Sequence, residues 1–183
     1  MKKLSLLGIA LAVSMLLLAG CGEKKHEGNH GHEHKMEEKA TEEVVANNVS
    51  FKEEKAGEIF QHYIHVKTAL VNSDADEAAN GAKMIVASIG EADGSAEISA
   101  AAKSISETSD IKEQRVAFAD LSAAVEEALE GQLASGAVYK QYCPMAFNNK
   151  GGYWLSDQEG IRNPYFGDKM LKCGRVEKVM GEL

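Results

Sequence analysis

Ile59-Phe60-Gln61-His62-Tyr63-Ile64-His65-Val66-Lys67-Thr68-Ala69-Leu70-Val71 carries its apolar side chains in steps of three and four. At about 100° per residue, Ile59, Tyr63, Val66 and Leu70 fall on one helical face, with Phe60 and Lys67 beside them. The pattern predicts a first helix from about Ser50 to Asn72. No proline occurs between residues 50 and 135, so no residue in that run lacks the backbone N–H that a helix interior needs.

Working outward, three more stretches repeat the period. Asp74, followed by Glu77, resembles a capping box for a second helix carrying Ala78, Ala82, Ile85 and Ile89. Gly90 and Gly94 mark a break. Ser95 is placed to cap a third helix built on Ile98, Ala102 and Ile105. Asp110, with Glu113 three residues on, starts a fourth whose stripe is Phe118, Leu121, Val125 and Leu129. Short connections make neighbouring helices antiparallel. The expected fold is therefore all-α, an up-down four-helix bundle over residues 50–183 with an irregular aromatic, Cys/Met-containing C-terminal lobe from about residue 136. Alanine-rich faces let helices approach closely but bury little apolar area each, so a pinned C-terminal cover would help the bundle.

The lobe concentrates unusual residues. Both prolines (Pro144 and Pro164), the only tryptophan (Trp154) and both cysteines beyond the leader lie between Tyr142 and Gly174. Tyr139, Tyr142, Phe147, Tyr153, Tyr165 and Phe166 supply most of the remaining aromatic area, whose default job is packing. Gly151-Gly152 and the prolines forbid a long helix and leave short extended pieces. Two sulfur pairs, Cys143-x-Met145 and Met170-x-x-Cys173, bracket the segment. Thiolate and thioether are soft donors that favour Cu(I), and the turns beside each pair let the chain double back so that the two meet. A disulfide between Cys143 and Cys173 requires the same meeting.

The chain opens with Lys2 and Lys3, an apolar run from Leu4 to Leu18, and Leu18-Ala19-Gly20-Cys21. The run is short for a membrane span and reads as a signal peptide over residues 1–20. Its end resembles the bacterial lipobox, with cleavage before Cys21 and a diacylglyceryl group on the Cys21 sulfur. Each buried methylene of such an anchor contributes about 0.8 kcal/mol. Residues 21–49 read as a disordered tether, too charged and too poor in large apolar residues to offset the cost of ordering. Within it His26, His30, His32 and His34 fall inside nine residues, with Met36 just after. Neutral imidazoles in such a tract suit Zn(II), Cu(II) and Ni(II).

The full chain has 20 basic and 28 acidic residues and a formal charge of −8. Loss of Lys2 and Lys3 leaves 18 against 28, a formal −10. No basic patch stands out, which argues against nucleic acid as a partner. Two cysteines remaining after acylation, in an exported and oxidising compartment, fit a disulfide as well as a metal site. His62 and His65 sit three residues apart on the first helix, within reach of one ligand. As a pair they make a weak metal site or a solvated face, since metal sites use three or four ligands. The chain holds no Ser/His/Asp order, phosphate loop, HExxH helix or CxxC motif, so an enzyme is not expected.

Tyr142-Cys143-Pro144-Met145-Ala146, Gly151-Gly152-Tyr153-Trp154-Leu155-Ser156 and Ile161-Arg162-Asn163-Pro164-Tyr165-Phe166-Gly167-Asp168-Lys169-Met170 through Cys173-Gly174 resemble a bacterial family of unknown function. Lys67-Thr68-Ala69-Leu70-Val71 is similar to the start of that family, and the likeness covers about residues 50–180. Its members are small exported proteins and domains fused to periplasmic adaptors of copper/silver-type efflux systems. The lipobox and the His tether lie outside the likeness, and His62 and His65 match nothing in the family's pattern. The resemblance implies heavy-metal handling by association.

Two functions compete. One is a lipid-anchored envelope protein, periplasm-facing or outer-membrane associated, that buffers copper or delivers it to an efflux adaptor. The tether would take Cu(II) or Zn(II), while Cys143, Met145, Met170 and Cys173 would hold Cu(I). The other is a disulfide-stapled structural and interaction module, with no metal, that docks on an envelope efflux component or another protein.

Overall fold

The computed structural model describes residues 49–89 and 95–181, all within one compact unit, Glu43–Leu183. The leader with Cys21, the tether with its four histidines and Met36, and the Gly90–Gly94 break lie outside the described residues. In chain order the elements are β1 (Ser50–Phe51), α1 (Glu54–Val71), α2 (Ala75–Ser88), α3 (Ser95–Ser106), α4 (Ile111–Ala128), β2 (Leu133–Ser135), β3 (Ala137–Cys143), β4 (Gly152–Ser156), a 3-10 turn (Gly167–Met170) and β5 (Arg175–Gly181).

Each helix buries one face. Phe60, Tyr63, Val66, Lys67 and Leu70 are buried on α1, Ala78, Ala82 and Ile85 on α2, and Ile98, Ala102 and Ile105 on α3. On α4, Phe118, Leu121 and Val125 are buried, with Leu129 just beyond its end. Consecutive helices pack on one another and α4 closes back on α1. The connection from α1 to α2 is short for a physical reason. Ser73 takes a left-handed φ of 57°, so that the Ser73 and Asp74 amides donate back to Leu70 and Ala69 carbonyls. Asp74 then accepts from the Glu77 amide at 2.9 Å and starts α2. Asp110 caps α4 by accepting from Lys112 N at 2.7 Å.

The all-α expectation is overturned. Residues 133–181 and the Ser50–Phe51 segment form two antiparallel sheets, one pairing β1 with β2 and one ordered β4-β3-β5. The fold is mixed, helices plus sheets. Ser50 and Phe51, expected to open the first helix, pair with Ser135 and Leu133 instead. The physical reason lies in β3. Val138, Tyr139 and Tyr142 prefer extended backbone, and the strand gains a partner on each edge, Tyr142 facing Tyr153 in β4 and Arg175 in β5. Such pairings join residues far apart in the chain, so no local period announces them.

The sheet and the helices share one core. Val138, Leu155, Trp154, Cys143 and Tyr165 belong to the same buried cluster as the helical faces. Stacked rings run through it, Phe60 on Tyr63 at 6.2 Å and Tyr63 on Phe118 at 5.1 Å, with Phe118 tilted against Tyr165 at 6.2 Å.

Candidate functional site

Cys143 ends β3 opposite Gly152 and is wholly buried. The chain then turns through Pro144 and Met145 into Phe147, Asn148 and Asn149, which hold left-handed φ of 51°, 58° and 66°. Asparagine tolerates that conformation; Phe147 adopts it while packing its ring edge-on to Tyr165 at 4.9 Å. The turn closes with Gly151 N donating to Ala146 O at 3.0 Å. Gly151, at φ +87°, has no room for a side chain because one would collide with the Tyr142 hydroxyl.

The second sulfur segment is built around Asn163. This buried side chain donates to the Cys173 carbonyl at 2.8 Å and accepts from the Tyr165 amide at 2.8 Å. Its backbone N–H donates to Leu171 O at 2.9 Å and its carbonyl accepts from Gly167 N at 3.1 Å. Asn163 therefore holds the whole Pro164–Cys173 loop in shape, a role that sequence reading did not assign it. Tyr165 donates to the Tyr153 carbonyl, and burial pushes its hydroxyl well above the usual tyrosine range.

The loop is also pinned to the helices. Arg115 on α4 donates to Pro164 O at 2.8 Å and to Leu70 O at 3.1 Å. Gly167, at φ +58°, lies so close to Ser73 Oγ and Val71 O that a side chain there would clash with both. Tyr63 is a second tie between layers, its hydroxyl 2.8 Å from Ser122 Oγ and accepting from the Leu155 amide at 2.9 Å.

These constraints bring Cys143 Sγ and Cys173 Sγ to 3.1 Å, both as free thiols. The contact with Cys143 is the main cause that pushes the Cys173 thiol up, followed by burial, while a hydrogen bond from the Met145 backbone opposes the rise. Met145 and Met170 take no place in the core; they are 45% and 36% exposed. Cys173 N donates to Met170 O at 3.0 Å, so each methionine stands on a turn that carries one of the paired cysteines.

His62 and His65 are both half-buried on α1. His65 Nε2 is 2.5 Å from Glu77 Oε1 and ties α1 to α2. Among the described residues no group of three or more His, Cys, Asp and Glu is arranged to hold a metal ion. Among the same residues no helix is long and apolar enough to cross a membrane.

A buried cation is the other feature that sequence reading missed. Lys67, placed beside the core face by its periodicity, is 5% exposed. Its ammonium donates to Ser156 Oγ at 3.0 Å and lies 3.6 Å from Asp157 Oδ1. Burial holds its pKa below the usual lysine value and Asp157 works in the opposite direction. Ser156 is itself buried, and the pair joins α1 to the end of β4.

No curated protein and no solved structure matches the chain. Residues 59–135 match the model of a family described as Protein of unknown function (DUF3347). The match runs from Ile59 within α1 through β2 and stops short of the Cys/Met lobe, a narrower reach than the likeness drawn from the motifs. Residues 59–135 are thus similar to the DUF3347 family, which is known to occur fused to copper/silver efflux adaptor proteins.

Proposed function

We propose that this protein is a disulfide-stapled, non-catalytic interaction module that docks on an efflux component of the cell envelope. The carrying observation is the 3.1 Å approach of Cys143 and Cys173 inside a hydrogen-bonded lobe. In an oxidising compartment a disulfide-bonded thiol oxidant would exchange with the pair. The Cys173 thiolate attacks the oxidant's disulfide, Cys143 displaces the mixed disulfide, and the oxidant leaves with two thiols and the two protons. The new bond would close a loop over the 30-residue separation and lock the Met145 and Met170 turns together. Family occurrence beside efflux adaptors supports the choice of partner class.

Copper capture is the second reading, favoured by the exposed thioethers of Met145 and Met170 beside the cysteines. In that reading the reduced pair and the thioethers would hold Cu(I). Thiol counting on protein purified without reductant, followed by Cu(I) titration against a chelator before and after reduction, separates the two. Zero free thiols at Cys143 and Cys173 and no Cu(I) uptake in the oxidised form support the staple. Two free thiols with tight Cu(I) uptake reject it.

A further inference from the structure

Charge is segregated along this fold. Residues 54–130 carry 15 acidic and 6 basic side chains, whereas residues 131–181 carry 4 acidic and 7 basic ones. The lobe is therefore net positive by three on a protein that is acidic overall.

Part of that positive charge lies beside exposed apolar side chains of the lobe, Met145, Tyr153 and Met170. The sulfur contact between Cys143 and Cys173 joins the turn bearing Met145 to the turn bearing Met170. Tyr142, next to Cys143, packs at a tilt against the exposed Tyr153 with centroids 4.5 Å apart, and the Arg175 guanidinium sits 4.8 Å from the Tyr142 ring. Lys150 is exposed beside the Gly151 backbone that abuts the Tyr142 hydroxyl, and Lys169 is exposed beside Met170. Arg175 is paired with Glu177 at 2.9 Å and Asp168 is exposed beside Lys169, yet Lys150, Lys169 and Arg175 still leave these methionine and tyrosine side chains flanked by one more cation than anion, a surface suited to a water–lipid boundary. The apolar parts enter the headgroup layer and the lysine and arginine stems keep their charges at the phosphates.

We propose that this edge of the lobe is a contact surface for an anionic phospholipid bilayer. The acidic helical body would be repelled from the same bilayer, so the charge segregation also sets the orientation, lobe toward the lipid and helices away. An acidic protein segment would offer similar charge, and the test separates the two sources. The groove of about 720 Å³ sets Glu126, Glu127 and Glu130 against Lys52 and Lys178, and that of about 890 Å³ carries Glu97, Asp120 and Glu127. Both linings are net acidic and suit anionic lipid less than the lobe edge does.

The test uses the chain without residues 1–20 and with Cys21→Ser, so that neither leader nor acyl group contributes; the compact unit begins only at Glu43. Sedimentation is measured with vesicles of equal parts phosphatidylglycerol and phosphatidylethanolamine, and with phosphatidylcholine vesicles. Binding to the anionic vesicles is expected to exceed binding to the zwitterionic ones and to fall as salt rises. Lys150→Gln with Lys169→Gln should weaken anionic binding about 25-fold, about fivefold for each cation at such a surface. Lys83→Gln with Lys103→Gln, the same charge change on exposed helical positions, should change it less than about twofold on the same basis. Melting curves confirm that each variant is folded. Equal binding to both vesicle types, or equal losses from the lobe and helix pairs, overturns the proposal. So does a lobe pair that keeps vesicle binding while losing a protein partner, which would assign the edge to an acidic protein. None of these outcomes touches the staple, which thiol counting decides separately.

Discussion

Reducing the oxidised protein perturbs the staple and nothing else, because both sulfur atoms remain in place and no cavity opens. Bond formation needs the sulfurs to close from 3.1 Å to about 2.05 Å, a short movement for two side chains already facing each other. The cysteines lie 30 positions apart, and a loop of that length gives about 3.5 kcal/mol on the chain-entropy account. For a domain of this size, 1 kcal/mol moves the melting temperature by about 3 °C, so reduction should lower it by about 10 °C. Differential scanning calorimetry with and without reductant, on samples whose thiols have been counted, measures the shift. Cysteine variants are a poorer probe, since Cys143→Ser also leaves a hydroxyl in the core. A shift under about 2 °C in protein shown to be oxidised would mean that the closed loop adds no constraint to the unfolded chain, and the stabilising role of the staple would fall.

Tyr63→Phe should destabilise the domain by about 1–3 kcal/mol in urea titrations, because the Leu155 amide loses its buried acceptor. Lys67 gives a pH signature. Burial holds its folded-state pKa below the usual lysine value, so between the folded and unfolded values the unfolded chain binds more protons and stability rises with pH. Lys67→Met should flatten that rise, and identical pH profiles for the two proteins would contradict the assignment. Deleting residues 22–48 should leave the melting temperature nearly unchanged while lowering Zn(II), Ni(II) or Cu(II) stoichiometry by equilibrium dialysis. Cys21→Ser should move the protein from the membrane pellet to the soluble fraction, and retention after a salt wash would refute the acylation site.

The helices were legible because their information is local. The stripe of Phe118, Leu121, Val125 and Leu129 and the caps at Asp74 and Asp110 are written within a few residues, and each occupies the expected place. Even the error at the start of α1 is instructive. Ser50 and Phe51 are compatible with a helix, and only pairing with Ser135 and Leu133 draws them into a strand. The candidate site was legible as composition, two cysteines and two methionines among turns. Its internal logic was not, since Asn163 and Arg115 act through carbonyls of residues up to 49 positions away.

What the chain's order of residues determined alone was the kind of chemistry available and the local secondary structure of its first half, because periodicity, capping and donor softness are properties of neighbours. Tertiary structure decided the rest. It placed Cys143 against Cys173 and left the methionines exposed. It buried Lys67 beside Ser156 and turned an irregular lobe into a sheet of order β4-β3-β5. These contacts join residues separated by nine to 89 positions, and their free energy comes from burial and hydrogen bonds that exist only once the layers have met.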